Sequence, residues 1–486
     1  MSLSRKIAVL AFALQAFGAS AFAAAEYKAG EVIVKYREGV IRPRESMNLL
    51  YKAAGVRAVR HFRGMMKGFE RVILDETVKV QDAIAEFEKN PMVEYAQPNY
   101  IIRISPQEMK PQAGGIPCIP GFDIPGCDPD AKMPCLIPGI PFPPGCDGDG
   151  GGGWPGDPGD GGGGGGDTPV TRPELQPPPA EVNPPVADPN LAKAYGIGKI
   201  SADKAWETHK GTKDMVVAVI DTGIDYNHED LSFNVWRNPN PTKGDVVGFD
   251  FIHNDGIPYD DQGHGSHCAG TIGAVGGNGV GVSGVNQRVS IMGVKFLSAE
   301  GSGTTEGAIQ SIDYAVEHGA KVLSNSWGGP SDGSNNALQD AIKRAQDKGV
   351  LFIAAAGNDG KNNDDARQAS YPAAFDNENI IAVAATDDKD GMAYFSNYGK
   401  VSTDVGAPGV NVYSLAPGNK YASMSGTSMA CPHVAGAAAF VWSKHPDWDW
   451  RKVKEVLMNT ADPVASLAGK TVTGGRINVL NALQAK

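Results

Sequence analysis

Three side chains in this sequence have the types and surroundings that acyl transfer needs. Ser428 lies in Ser425-Gly426-Thr427-Ser428-Met429-Ala430-Cys431-Pro432-His433, ahead of the helix-forming run Val434 to Ser443. His264 stands between Gly263 and Gly265, which leave an imidazole accessible, and Asp221 closes the apolar run Val216 to Ile220. A serine hydroxyl is a poor nucleophile until a base removes its proton, and the imidazole that does so needs a carboxylate to fix its tautomer and stabilise its cation. One group of each kind is present. Each alone has a plainer reading: Asp221 as a turn or cap, His264 as a structural histidine like its neighbour His267. Pro432 suits only the first turn of a helix, which predicts Ser428 at a helix N-terminus, where an oxyanion meets the positive end of the dipole.

Side chains so far apart in sequence need a rigid scaffold. From about Asp188 to Lys486 strand-like and helix-like runs alternate: Met215 to Ile220, Lys321 to Asn325 and Val350 to Ala356 are apolar strands, while Glu306 to Glu317 and Ala337 to Lys348 have helical spacing. Such alternation predicts an α/β fold, a mostly parallel central sheet flanked by helices, with functional residues at the carboxyl ends of strands. Ahead of it, residues 26–105 read as a small α+β domain, with strands at Glu31 to Tyr36 and Phe69 to Leu74 and helical spacing at Val80, Ile84 and Phe87. Residues 106–187 carry no periodic pattern and read as a Pro/Gly-rich linker.

Asp221-Thr222-Gly223-Ile224-Asp225, Gly263-His264-Gly265-Ser266-His267 and Gly426-Thr427-Ser428-Met429-Ala430, in that order, resemble the three signature blocks of subtilisin-like serine proteases. The similarity runs through 188–486 to the closing Gly475-Arg476-Ile477-Asn478, and Cys268 resembles the thermitase and proteinase K branch. The resemblance implies that Asp221, His264 and Ser428 form a triad that hydrolyses peptide bonds. It implies Asn358, in Ala355-Ala356-Gly357-Asn358, as a side-chain donor to the oxyanion. Substrate is then expected to lie extended against Ser326-Trp327-Gly328 and Ala355-Ala356-Gly357, a pairing that reads backbone more than side chains. Protein and peptide substrates with broad, apolar-leaning specificity follow. Trp327 stands where Leu is common in the family, which predicts a narrower distal subsite.

The same resemblance implies a structural Ca2+ held by Asp188, Asp230 and Asn278, hard oxygen ligands that suit this ion. Asp250 and Asp255 resemble a second such site, in which His253 replaces an expected Asp. Glu31 to Lys35 and Val93 to Tyr100 resemble the family's inhibitory propeptide, which implies a zymogen whose N-terminal domain assists folding and occludes its own cleft as an intramolecular inhibitor. Family propeptides usually run straight into the catalytic domain, so the long linker leaves the maturation cut open between Tyr100 and Ala187.

Arg5 and Lys6, the apolar run Ile7 to Phe17 and Ala21-Phe22-Ala23 predict that residues 1–23 are a removed signal peptide and that the protein is secreted, to the periplasm or beyond. The alternative, a membrane anchor, calls for about 20 apolar residues. Export permits disulfides. Cys118, Cys127, Cys135 and Cys146 sit in a short tandem repeat within the linker, predicting bridges within each copy, Cys118 to Cys127 and Cys135 to Cys146, with metal binding by the four as the alternative. Cys268 and Cys431 read as two buried thiols or as a bridge. A net charge of −11 offers no basic face to nucleic acid or an anionic membrane. An active endopeptidase, a limited-specificity processing protease and a non-catalytic surface binding protein are all compatible with these features; intact Asp221, His264, Asn358 and Ser428 favour the first.

Overall fold

The computed structural model describes residues 25–62, 64–104, 172–330 and 335–485. The leader and the cysteine repeat, with its expected bridges, lie outside them.

The N-terminal domain is an antiparallel sheet with both faces in use. β1 (Tyr27–Tyr36) sits between β3 (Phe69–Leu74) and β4 (Val93–Arg103), with β2 (Val56–His61) beyond β3. Val32 and Val34 pack with Leu50 of α1 (Arg44–Ala53) and with Ile84 and Phe87 of α2 (Val80–Glu88). Ile33, on the opposite face, joins Phe69, Ile102 and Ile104 in a core shared with the larger domain. Successive strand residues point to opposite faces, so Val32-Ile33-Val34 is apolar without alternation because neither face meets water.

Among the described residues nine strands form one sheet, in the order β17 (Asp462–Pro463), β18 (Gly475–Arg476), β14 (Val405–Pro408), β13 (Ile380–Thr386), β11 (Leu351–Ala355), β9 (Val322–Asn325), β5 (Gly211–Asp221), β7 (Arg288–Lys295) and β6 (Gly248–Asp250). Neighbours run parallel except β17 against β18. Two short pairs, β10 (Gly329–Pro330) with β12 (Ser370–Tyr371) and β15 (Val412–Ala416) with β16 (Lys420–Met424), stand apart, while β8 (Ser302–Thr304) extends the N-terminal sheet next to β4.

Parallel strands need cover on both sides. Val217 and Val219 of β5 pack in one cluster with α5 (His264–Gly273) and α8 (Thr427–Lys444), and Ala218 and Ile220 in another with α6 (Thr305–Glu317) and α7 (Asn336–Asp347). Short helices α3 (Tyr195–Lys199) and α4 (Ala202–Ala205) precede β5, and α9 (Trp450–Asn459) and α10 (Val479–Gln484) close the chain against α8. The expected α6 and α7 are found within a residue of their predicted ends.

The stretch 172–187, read as linker from composition, is docked on this body. Tyr226 donates its hydroxyl to Pro173 O at 2.6 Å, Asn227 Nδ2 to Glu174 O at 2.8 Å and Arg288 Nε to Glu181 Oε1 at 2.8 Å. A Pro-rich chain cannot form its own ladder, so its carbonyls take donors from a neighbour instead. Among the described residues no helix is long and apolar enough to cross a membrane.

Candidate active site

The carboxyl ends of β5, β9 and β11 meet at one end of the sheet. Asp221 ends β5, and its Oδ1 lies 2.8 Å from His264 Nδ1, with both residues fully buried. His264 opens α5, whose first turn is gathered by Asp260: its Oδ1 accepts Gly263 N–H at 2.8 Å and its Oδ2 accepts Ser266 N–H at 2.8 Å. Thr222 ties this to the strand, donating its hydroxyl to Asp260 Oδ1 at 2.8 Å and accepting Gly265 N–H at 2.9 Å. A Cβ on Gly265 would stand 2.0 Å from Gly223 O. That glycine therefore permits close approach of helix to turn, a different role from the imidazole access expected of it. His267 is the structural histidine the sequence suggested: Nε2 meets Val412 O at 2.9 Å, and burial pushes its pKa down to about 3.

Ser428 is the second residue of α8, which puts Pro432 sixth and past the first turn where it was expected. Proline there removes the N–H that would meet the Ser428 carbonyl. That carbonyl accepts from Ser326 Oγ at 2.9 Å and Cys268 Sγ at 3.5 Å, while Ser428 Oγ donates to the Ser326 carbonyl at 2.8 Å. Cys268 and Cys431 are two buried thiols and form no bridge; burial raises that of Cys431 to about 12.

Asn358 Oδ1 accepts both the Thr427 N–H at 2.8 Å and the Thr427 hydroxyl at 3.0 Å. Two donors at one end fix the amide, so Nδ2 is the end that can serve an anion. A cavity of about 270 Å³ opens here, lined among others by Ser326, Gly328, Ala355, Gly357, Asn358 and Ser428. Ala356 lies behind its wall, fully buried with its N–H on Val383 O at 3.0 Å. Trp327 borders the cavity from below: its ring packs edge-on against Phe296 and Phe352, and Nε1 donates to Ile220 O at 2.8 Å.

Comparison with known proteins gives the family. Residues 212–481 match the Subtilase family, and residues 15–99 match the Fervidolysin N-terminal prodomain. The chain belongs to the subtilase family. Thermitase of Thermoactinomyces vulgaris is 40% identical over 293 residues, 60% of this chain and 96% of the relative. Subtilisin DY of Bacillus licheniformis is 40% identical over 268 residues, covering 55% of this chain and 90% of its own. A thermophilic serine proteinase of Bacillus sp. (strain AK1) is 39% identical over 289 residues, 60% of this chain and 66% of its own. The protein is thus a serine endopeptidase of the subtilisin type with an N-terminal prodomain.

In this subtilase Asp188, Asp230 and Asn278 converge. Asp188 accepts the N–H groups of Gly277 at 2.9 Å and Asn278 at 3.0 Å, and Asp230 accepts Asn278 Nδ2 at 2.8 Å and Val282 N–H at 2.8 Å. Asp230 is fully buried, and its pKa is pushed up to about 8, first by burial, with the charge of Asp188 adding to it. Two buried carboxylates served by neutral donors fit a bound divalent cation. At the second expected pair, Asp250 takes the N–H of Ile252 at 2.8 Å and lies 2.8 Å from the His253 ring, and Asp255 takes the N–H of Ile257 at 3.0 Å. His253 thus stands beside Asp250 where the family resemblance expects a carboxylate. A separate cluster of Asp221, His264 and Cys268 has ligand atoms within 4.8 Å of one another, which the Asp221–His264 hydrogen bond and the one-turn spacing to Cys268 account for.

Residues to which the sequence assigned no role also build the site. Asp260 and Thr222 orient α5, and Ser302, Gly303 and Thr304 pair with the end of β4, whose Ile101 and Arg103 border the cavity. Asp260, three residues before the N-cap Gly263, was a legible signal for a helix start.

Proposed function

We propose that this subtilase hydrolyses protein chains through an acyl-enzyme on Ser428, with His264 as general base and acid, Asp221 orienting it, and Asn358 with the Ser428 backbone N–H as oxyanion donors. The observation that carries the reading is the 2.8 Å contact of Asp221 Oδ1 with His264 Nδ1 beside a cavity that Ser428 and Asn358 line. As Ser428 Oγ bonds to the scissile carbonyl carbon, its proton passes to His264. The C–N bond then breaks, with the proton returned to the leaving amine, and water repeats the sequence on the ester. Asp221 stabilises the imidazolium across their hydrogen bond, both residues being buried where charges are weakly screened.

The prodomain acts as an intramolecular inhibitor of a secreted zymogen. In support, Ile101, Ile102 and Arg103 of β4 pair with Thr304, Gly303 and Ser302, and Arg103 donates to Gly328 O at 3.4 Å and accepts from Gly328 N at 3.2 Å. An extended strand between two cleft edges is how a substrate is held. Ile102 and Ile104 are buried in one cluster with Phe296, Leu297 and Trp327, which supports apolar-leaning specificity. Asp188, Asp230 and Asn278 would hold Ca2+, whose charge would offset the buried carboxylates. Secretion rests on the leader.

Casein hydrolysis by the purified precursor, beside a Ser428→Ala version, tests the reading. Self-trimming and casein breakdown by the wild type alone support it; equal, inert behaviour of both after nicking by a trace of another protease removes it.

A further inference from the structure

Lys295 carries a charge that the mechanism above does not use, yet it is 1% exposed. It ends β7 as the lateral partner of Asp221 at the end of β5, so the two side chains leave the same face of the sheet. Burying an ammonium is costly unless each of its donors is met. All three are: Nζ donates to Thr222 O at 2.7 Å, to Leu297 O at 2.8 Å and to Asp261 Oδ1 at 2.7 Å. These acceptors lie on three segments: the turn after Asp221, the chain just past β7, and the approach to α5. An apolar side chain of this length would fill the space at less cost, but it would tie none of the three together.

Each tie leads to the couple of Asp221 and His264. Thr222 N–H donates at 2.7 Å to Asp221 Oδ1, the oxygen that also meets His264 Nδ1, and the Thr222 hydroxyl accepts Gly265 N–H. Phe296 and Leu297 donate their N–H groups to the Asp221 carbonyl at 3.1 and 3.3 Å. Asp261 stands three residues before His264. Asp221 Oδ2 has no hydrogen-bond partner among the described residues, so the carboxylate is oriented through Oδ1, and a shift of Thr222 would turn it. Resting on the triad reading above, we propose that Lys295 is a positioning residue for the couple: its ammonium fixes Thr222, and through it the Asp221 carboxylate, and sets a positive charge beside both. The titratable groups packed around the couple are Asp225, Asp260, Asp261, His267, Cys268, Cys431 and Lys295. Burial holds His267 down to about 3 and Cys431 up to about 12, and Cys268 is a thiol that donates to Ser428 O, so Lys295 is the cation of this group near neutral pH. Without that charge His264 binds its proton more easily, and the acid limb of the rate profile moves to higher pH.

The test measures kcat and KM on a chromogenic peptide from pH 5 to pH 9 for the wild type, Lys295→Met, Lys295→Arg and Lys295→Met/Asp261→Asn. Each full-length chain is first opened by a trace of another protease that is then inhibited, and its melting curve shows that it is folded. Misplacement of about 1 Å at the reacting groups costs about 100-fold, so Lys295→Met should lose about that factor in kcat with KM little changed. Its acid limb of kcat/KM should move up by about one pH unit. Lys295→Arg keeps the charge, so its limb stays at the wild-type position and part of the lost kcat returns. Removing both charges in Lys295→Met/Asp261→Asn should bring the limb back while kcat stays low, because Thr222 O and Leu297 O still lack their donor. A limb left in place in folded Lys295→Met overturns the proposal even if kcat falls, since lost packing lowers a rate without moving a titration. Wild-type kcat in that variant overturns it as well. Where Lys295→Met does not fold, Lys295→Gln, polar and uncharged, carries the same expectations and the same overturning results. No peptide hydrolysis by the opened wild type overturns the triad reading and this one with it.

Discussion

The Ser428 carbonyl is held by the Ser326 hydroxyl at 2.9 Å because residue 432, four positions on in the helix, is proline and has no N–H to offer. Ser326 thus grips the nucleophile from both ends, since its own carbonyl takes Ser428 Oγ. Ser326→Ala leaves that carbonyl only the weak Cys268 Sγ donor at 3.5 Å and is expected to lower stability by about 1 kcal/mol, and to lower kcat with it. Pro432→Ala restores the missing N–H, so adding it to Ser326→Ala should recover part of both losses. A double-mutant cycle by thermal melts reads the coupling; strictly additive effects would sink the idea.

Two prodomain side chains close the open ends of catalytic-domain helices. Asn99 Oδ1 accepts Glu306 N–H at 3.1 Å at the start of α6, and Gln97 Oε1 accepts Ala337 N–H at 2.9 Å at the start of α7. Losing one cap costs about 1 kcal/mol, or about fivefold. In the Ser428→Ala precursor, Asn99→Ala and Gln97→Ala should each speed hydrogen exchange of β4 amides by about that factor. Exchange at the wild-type rate in both variants would mean the tail is held without them.

Much of this was legible in the sequence because the signals are local. Apolar runs of strand length set β5, β9 and β11, and helical spacing set α6 and α7. The glycine-flanked motifs stood at the ends of those elements. What escaped depends on which surface meets which. The burial of Trp327 under the cleft, the role of Gly265 in letting a helix touch a turn, and the partner of the Ser428 carbonyl are contacts between distant segments that no spacing encodes. The docking of 172–187 was hidden by a composition that reads as linker, although its hydrogen bonds are made with the neighbour. His253, legible in the sequence as a departure from the expected Asp, lies 2.8 Å from Asp250 in the second carboxylate pair.

Asn358 offers a test of oxyanion stabilisation that leaves the fold alone. Asn358→Asp keeps an acceptor for the Thr427 N–H but replaces the donor end with oxygen. Loss of one preorganised donor costs about 100- to 1,000-fold in kcat, and KM should change little because the ground-state carbonyl does not use it. A comparable rise in KM with kcat preserved would assign Asn358 to binding.

Trp327 links the substrate edge to the strand that carries Asp221, through its bond to Ile220 O at 2.8 Å. It also shares a cluster with Ile102, the prodomain residue two before the Gly328-paired Arg103 position's neighbour Ile104. Trp327→Leu removes volume from that floor and is expected to cost about 2–4 kcal/mol in stability while widening the subsite. A peptide library should then accept larger side chains at the position that Ile102 occupies; an unchanged profile would show that the indole supports the floor without limiting it.

The pair Asp188 and Asp230 gives a pH dependence whose sign separates a cation site from an ordinary hydrogen-bonded loop. Burial raises Asp230 to about 8 in the folded protein, well above its usual value of 3.8. Near pH 4 and below, both states hold the proton. As pH rises toward 8 the unfolded chain has released it while the folded chain still binds it, so stability is progressively lost. A bound cation balances the carboxylate and cancels that loss. Melting temperature in EGTA should therefore fall between about pH 5 and pH 8, and added Ca2+ should raise it most at the alkaline end. Asp230→Asn should flatten the EGTA profile and abolish the response to Ca2+, because its neutral amide neither titrates nor supplies charge. Equal Ca2+ responses in the wild type and Asp230→Asn at pH 8 would exclude Asp230 as a ligand.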